Sequence, residues 1–139
     1  MKIGNRTEYG VRALVLLAER QGGGPLSRTR IAEIEDISES FLEQILAQLR
    51  RAGLIESVRG ANGGFRLARP AAEITMDEVI SLLEGSLSPI GCVSRAPDDV
   101  FAGCGRIGRC QTRKVWVKMT ESIAVALRQL TLQELIEET

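Results

Sequence analysis

Residues 38–70 read SESFLEQILAQLRRAGLIESVRGANGGFRLARP, and this run decides the fold. Ser38 offers a capping hydroxyl to a helix predicted to run to about Ala52, and Gly53 supplies a left-handed stop. Within it Leu42, Ile45, Leu46 and Leu49 recur at i, i+3, i+4 and i+7, which makes one apolar stripe. Ser40, Gln44, Ala47 and Arg51 fall on the opposite side with Glu43 beside them. That outer face is short and polar, and Ala47 leaves room for close approach. Leu54–Arg59 and Phe65–Arg69 read as two strands joined by Gly60-Ala61-Asn62-Gly63-Gly64, which has hairpin chemistry, and Pro70 closes the second strand.

Upstream, Ser27 caps a short helix through about Glu35 that is expected to bury Ile31 and Ile34, with a turn at Asp36-Ile37. Before it, Thr7 to Arg20 reads as a helix with Val11, Leu14, Val15 and Ala18 at helical spacing, ended by Gln21-Gly22-Gly23-Gly24-Pro25. Two helices, a third with a polar outer face, and a glycine-tipped hairpin form the winged helix-turn-helix plan. The fold class is therefore mainly α with a small β-hairpin wing.

Downstream, Thr75-Met76-Asp77-Glu78 is a capping box opening a fourth helix that Gly85 ends. Residues 86–111 show no sustained period and hold all three cysteines, Cys92, Cys104 and Cys110. From about Thr112 a long helix follows. Its Trp116, Met119, Ile123, Ala126 and Leu130 step by three and four, a heptad seam suited to pairing with a second copy. Thr131-Leu132-Gln133-Glu134 is a second capping box starting a short last helix. The expected organisation is a DNA-binding winged helix at 1–85, a cysteine-bearing loop at 86–111, and a dimerisation helix with the terminal helix at 112–139.

Composition narrows the function classes. The length, 139 residues, suits one modest core, and 44% apolar with 26% charged residues is ordinary for a globular chain. The net charge is zero, yet residues 1–70 carry eleven Lys and Arg against eight Asp and Glu, while residues 71–139 carry seven against ten. A basic front and an acidic back fit a DNA-reading part joined to another part. There is no histidine, so Cys-His and Ser-His-Asp catalysis are excluded. No other acid–base or nucleophile constellation is present, and neither an enzyme nor a small-molecule substrate is expected. No stretch has the shape of a signal peptide or a membrane span. An odd cysteine count fits a reducing cytoplasm, where structural disulfides are not expected.

The major groove admits a helix, and base edges there are read by polar side chains of defined geometry. Ser40, Glu43 and Gln44 suit that role, since Gln can pair both groups on adenine's edge and Glu can accept from cytosine's amino group. Ser38 offers its hydroxyl and helix-start N–H groups to a phosphate. Arg59 precedes the glycine-rich tip, where a wing can insert it into a narrow minor groove. Arg28, Arg30 and Arg66 are candidate phosphate contacts. The bland alternative for the third helix is a solvated face. The ordered set of helices, hairpin and Arg59 favours double-stranded DNA. Thiols beside such a reading head suggest a transcription factor that senses through sulfur.

The chain resembles the bacterial winged-helix regulators related to IscR, the iron–sulfur cluster regulator, and NsrR, the nitric-oxide sensor. The matching residues are Tyr9, Ile37-Ser38, Phe41-Leu42-Glu43-Gln44-Ile45-Leu46, Leu49-Arg50-Arg51-Ala52-Gly53-Leu54, Ser57-Val58-Arg59-Gly60 and Gly63-Gly64-Phe65-Arg66-Leu67. Glu78-Val79-Ile80 and Leu132-Gln133-Glu134-Leu135 match as well, so nearly the whole chain is covered. The resemblance implies a cytoplasmic homodimer, paired through its long helix, that binds palindromic operators as a repressor or an activator.

It also implies that Cys92, Cys104 and Cys110 ligate an iron–sulfur cluster, which physical chemistry allows because thiolates are the usual ligands of such iron. Arg106, Arg109, Arg113, Lys114 and Lys118, with no acidic residue from 105 to 120, would favour thiolates and offset an anionic cluster. Two departures stand out. The eleven residues between Cys92 and Cys104 exceed the family's spacing, and Arg113 stands where cluster-assembly regulators carry histidine. The nitric-oxide sensors use an acidic residue near the N-terminus, donated by the partner subunit, which makes Glu8 the fourth-ligand candidate; Asp98, Asp99 or an outside thiol are alternatives. A dipole-stabilising role is the plain alternative for Glu8. For the cysteines the rivals are structural zinc, bare redox thiols in a cluster-free regulator, inert buried residues, and a cluster carrier or electron-transfer protein. The sequence leaves 2Fe–2S and 4Fe–4S equally open.

Overall fold

The computed structural model describes residues 2–85, 87, 93 and 109–137. Six helices and one hairpin are formed by them: α1 (Asn5–Glu19), α2 (Arg28–Glu35), α3 (Glu39–Arg51), β1 (Ile55–Val58), β2 (Gly64–Leu67), α4 (Met76–Glu84), α5 (Arg113–Arg128) and α6 (Leu132–Glu137), with a 3₁₀ turn at Ala71–Glu73 before α4. This is the mainly helical winged helix-turn-helix expected, with a long C-terminal helix.

The helix ends follow local chemistry. Ser27 Oγ accepts from the Arg30 amide, Ser38 Oγ from the Phe41 amide at 3.2 Å, and Thr75 Oγ1 from the Glu78 amide at 3.3 Å. The second capping box is reciprocal, with Glu134 N–H donating to Thr131 Oγ1 and Thr131 N–H donating to Glu134 Oε2. Gly53, at φ +78°, adopts the left-handed conformation past α3. Asp36 closes α2 in the same conformation at φ 53°.

Leu42, Ile45, Leu46 and Leu49 of α3 are all buried. Each contributes on the order of 1.5–3 kcal/mol by burial, which fixes the rotation of α3 and turns its polar face outward. They meet Ala13, Leu14, Leu17 and Ala18 of α1, Ile31 of α2, and Val79 and Leu83 of α4 in one core.

One expectation is corrected. Ile34 is 44% exposed, because α2 contributes only Ile31 and Ala32 to the core. On α1, Thr7, Gly10, Ala13, Leu14, Leu17 and Ala18 are buried, and Val11 and Val15 pack half-buried against the same core. Small residues set this face: Leu83 packs so closely on Gly10 that a Cβ there would collide with it.

The hairpin pairs Ile55 with Leu67, Glu56 with Arg66, Ser57 with Phe65 and Val58 with Gly64. A third segment joins it, since Leu26 N–H donates to Phe65 O at 3.0 Å and Phe65 N–H donates to Leu26 O at 2.7 Å. The wing is thereby fastened to the residue preceding the cap of α2. A second bridge ties Thr75 to Thr131, and Leu132 is fully buried in the same core as α1 and α3. No helix among the described residues is long and apolar enough to cross a membrane.

Candidate nucleic-acid interface and cysteine site

Ser40, Glu43, Gln44 and Arg51 all lie exposed on the outer face of α3, and Ala47 is half-buried between them. The Ser38 hydroxyl caps α3 and lies 3.4 Å from the Ser40 hydroxyl, so the two form one polar corner at the helix start. A helix N-terminus of this kind presents N–H groups to an anion.

The charged residues of this surface are held by one another. Arg28 meets Glu39 at 3.6 Å and Glu43 at 3.4 Å, with all three side chains 42–65% exposed. Arg66 pairs with Glu56 across the hairpin at 2.6 Å. Arg30 pairs with Glu33 at 3.3 Å. Exposed pairs of this kind are worth about 0–1 kcal/mol, so a phosphate can displace the carboxylates at little cost. Arg59 is exposed at the wing and forms no ion pair among the described residues. The residue that sequence reasoning missed is Arg6. Its Nη2 donates to Gln44 Oε1 at 3.3 Å, bringing the first turn of α1 onto the reading face. No local spacing links positions 6 and 44, so no sequence signal could have found it.

Around the cysteines, Cys92 and Cys104 lie outside the described residues, as do Asp98, Asp99 and Arg106. Cys110 is half-buried just before α5, with its Sγ 3.1 Å from Thr112 Oγ1. It lines an open cleft of about 560 Å³ with Arg109, Gln111, Arg113, Lys114, Val117, Lys118 and Glu121. Four of those seven partners are cationic, so the donor set and its field suit a thiolate-held anionic group. Among the described residues, no cluster of three or more Cys, Asp or Glu comes together as a metal site. Glu8 sits exposed in the first turn of α1, paired with Arg12 at 2.9 Å. Arg12 also reaches Glu35 at 3.5 Å and lies over the Tyr9 ring at 5.5 Å.

Along α5, Val115 (52%), Met119 (39%) and Val125 (49%) are exposed, and Trp116 and Ile123 are half-buried. The predicted seam is thus split: Leu130 packs on the core of its own chain, while Met119 and Ala126 face outward.

A winged helix with a polar, uncovered third helix and a fastened wing is the build of a DNA-binding protein. The family model described as Rrf2, iron-dependent transcriptional regulator, matches residues 3–138. The chain belongs to the Rrf2 family of transcriptional regulators, a non-enzymatic class. It is 34% identical over 139 residues to the HTH-type transcriptional regulator CymR of Bacillus subtilis (strain 168), covering 100% of this chain and 92% of that protein. The solved structure of CymR, the global cysteine regulator of B. subtilis, superposes with a TM-score of 0.80 at 32% identity, covering 100% of this chain and 98% of that one. T. potens IscR gives a TM-score of 0.76 at 38% identity over 99% and 88%.

Proposed function

We propose that the protein is a cytoplasmic homodimeric transcription regulator that binds palindromic double-stranded operators and whose DNA affinity is set by an iron–sulfur cluster. Residues 1–85 read DNA, residues 86–111 bind the cluster, and residues 112–139 pair the two copies. Ser40, Glu43 and Gln44 contact base edges, Ser38, Arg28 and Arg66 contact phosphates, and Arg59 enters the minor groove from the wing. Cys92, Cys104 and Cys110 would hold the cluster, of 2Fe–2S or 4Fe–4S type, with Glu8 of the partner subunit as fourth ligand. A bound cluster would supply a group whose redox state, nuclearity or presence can change with the signal.

The observation that carries this function is Cys110 at the head of α5, in a cleft lined by Arg109, Arg113, Lys114 and Lys118. The helix that begins three residues later, α5, carries the exposed apolar residues Val115, Met119 and Val125, so the proposed sensing thiol adjoins the element that bears the pairing surface. Half-sites must match the spacing of two recognition helices, so a small change at α5 reaches DNA affinity.

The test is the visible spectrum of protein purified without oxygen, with iron and sulfide counted on the same sample. A sulfide-containing chromophore near one cluster per chain is expected. A colourless, iron-free protein that also resists anaerobic reconstitution would refute the cluster. The second reading is a cluster-free regulator acting through its thiols. It is favoured by the similarity to CymR, the global cysteine regulator, which covers the full chain. A carrier or electron-transfer protein would leave the reading face of α3 without a use.

A further inference from the structure

We propose that Arg6 is a specificity-determining residue of the DNA-reading surface: by drawing the carbonyl end of Gln44 toward α1, it presents that side chain's amide N–H donors to the groove and so favours guanine. This rests on Gln44 contacting a base edge.

Arg6 Nη2 donates to Gln44 Oε1 at 3.3 Å across 38 residues of sequence, and both side chains are exposed. A guanidinium carries donors only, so the carbonyl oxygen is the one end of the amide it can engage. The contact therefore fixes which way the amide points. A glutamine with both ends open presents an acceptor beside a donor, the complement of adenine's N6 amino group and N7. With Oε1 turned toward α1, the groups left for the groove are the Gln44 amide N–H donors and the remaining N–H groups of Arg6. Guanine presents O6 and N7, two acceptors side by side, and matches that head.

The local structure keeps Arg6 in place. Its neighbour Thr7 is 2% exposed and donates to the Glu84 carboxylate, which also accepts from Gly4 N–H at 3.1 Å. The first turn of α1 is thus pinned to the end of α4. The nearest carboxylate in sequence to Gln44, Glu43, is taken by Arg28, and Arg6 forms no ion pair among the described residues. Its charge stays available to the DNA.

The experiment binds the full chain to a double-stranded library randomised across a palindromic half-site and sequences the bound fraction. It compares wild type, Arg6→Ala, Arg6→Lys and Gln44→Ala. Wild type is expected to select guanine at one position of each half-site. Arg6→Ala, which frees Oε1, should move that position toward adenine by roughly ten-fold, within the range a bidentate base contact commands. Arg6→Lys, still a donor-only cation, should keep guanine, and Gln44→Ala should lose preference at that position alone. If Arg6→Ala weakens all sequences equally and lowers the slope of affinity against salt by about one, Arg6 touches only phosphate and the proposal is overturned while Gln44 keeps its role. If Gln44→Ala changes no position, the base-reading role of Gln44 falls, and this inference with it.

Discussion

Replacing Gly64 with alanine tests whether the wing is fastened as the structure has it. Gly64 lies at φ +153°, and a Cβ built on it would stand 2.1 Å from Leu26 O, 2.4 Å from Leu26 C and 2.6 Å from Ser27 N. These neighbours are backbone and cannot rotate away, so the strand must retreat by more than about an ångström. That retreat breaks the two Leu26–Phe65 hydrogen bonds of 3.0 and 2.7 Å. Each is worth about 0.5–1.5 kcal/mol net. The φ value adds about 1–3 kcal/mol of strain for a residue with a side chain. Gly64→Ala should therefore cost about 2–6 kcal/mol, a large share of the roughly 5–15 kcal/mol stability of a typical domain. The control is Gly53→Ala, at φ +78° with nothing near its Cβ, where only the roughly 1–2 kcal/mol of strain applies. Urea unfolding followed by far-UV circular dichroism reads both. Equal unfolding midpoints for the two variants would show that the Leu26 bridge does not hold the wing. Operator binding by Gly64→Ala should fall roughly ten-fold at temperatures where it is folded, because Arg59 loses its fixed position relative to α3.

Ser38→Ala removes the cap on α3 and should lower stability by about 1 kcal/mol; an unchanged melting temperature would show that the Phe41 amide finds another partner. Arg59→Ala should weaken binding most at operators with an A·T-rich, narrow minor groove beside the half-site, read by titrating operators that differ only there, and uniform weakening would place Arg59 on phosphate instead. Met119→Glu puts a charge on an outward-facing apolar position, so the chain should stay folded but sediment as a monomer; an unchanged dimer would remove this face of α5 from the interface. Cys104→Ser and Cys110→Ser should each abolish iron binding by anaerobically purified protein, and full iron retention would refute their role as ligands.

The features legible in the sequence are those whose causes are local. The stripe Leu42–Leu49, the capping serines and threonines, and Gly53 are set by spacings of a few residues, and each stands in the structure as read. What failed to show has tertiary causes. Ile34 fits a helical period, but Ile31 and Ala32 already supply the part of α2 that faces the core. Gly10 is buried beside the apolar residues of α1 because α4 brings Leu83 close to it, which no spacing in the sequence signals. The Glu8–Arg12 pair has i, i+4 spacing, whereas Arg6–Gln44, Arg28–Glu43 and Leu26–Phe65 require the chain to be folded before they meet. Within the cysteine site, only Cys110 and its basic cleft belong to the described residues, so the roles of Cys92 and Cys104 rest on the sequence.

Under the proposed function, the reading head and the sensing segment share an anchor. The segment 86–111 follows directly on Gly85, and the preceding turn of α4 is bonded in two directions. Glu84 accepts from Gly4 N–H and Thr7 Oγ1–H at the start of α1, and Leu82 O accepts from Gln48 Nε2 of α3 at 2.9 Å. A pull at Gly85 therefore bears on the recognition helix and on the turn that carries Arg6 and Glu8 at once. These contacts differ in how readily they yield. Glu8 and Arg12 are about half exposed, so Glu8 can leave its partner for roughly 0–1 kcal/mol, and Arg12 keeps Glu35 and the Tyr9 face. Thr7 is buried, and breaking its bond to Glu84 would strand a desolvated hydroxyl at about 1–3 kcal/mol. The cheaper response to a signal is for Glu8 to exchange partners while Thr7–Glu84 holds, moving the first turn of α1 with the end of α4. If the two arrangements differ in operator binding by the roughly 1–3 kcal/mol typical of allosteric coupling, affinity changes by about 5–150-fold.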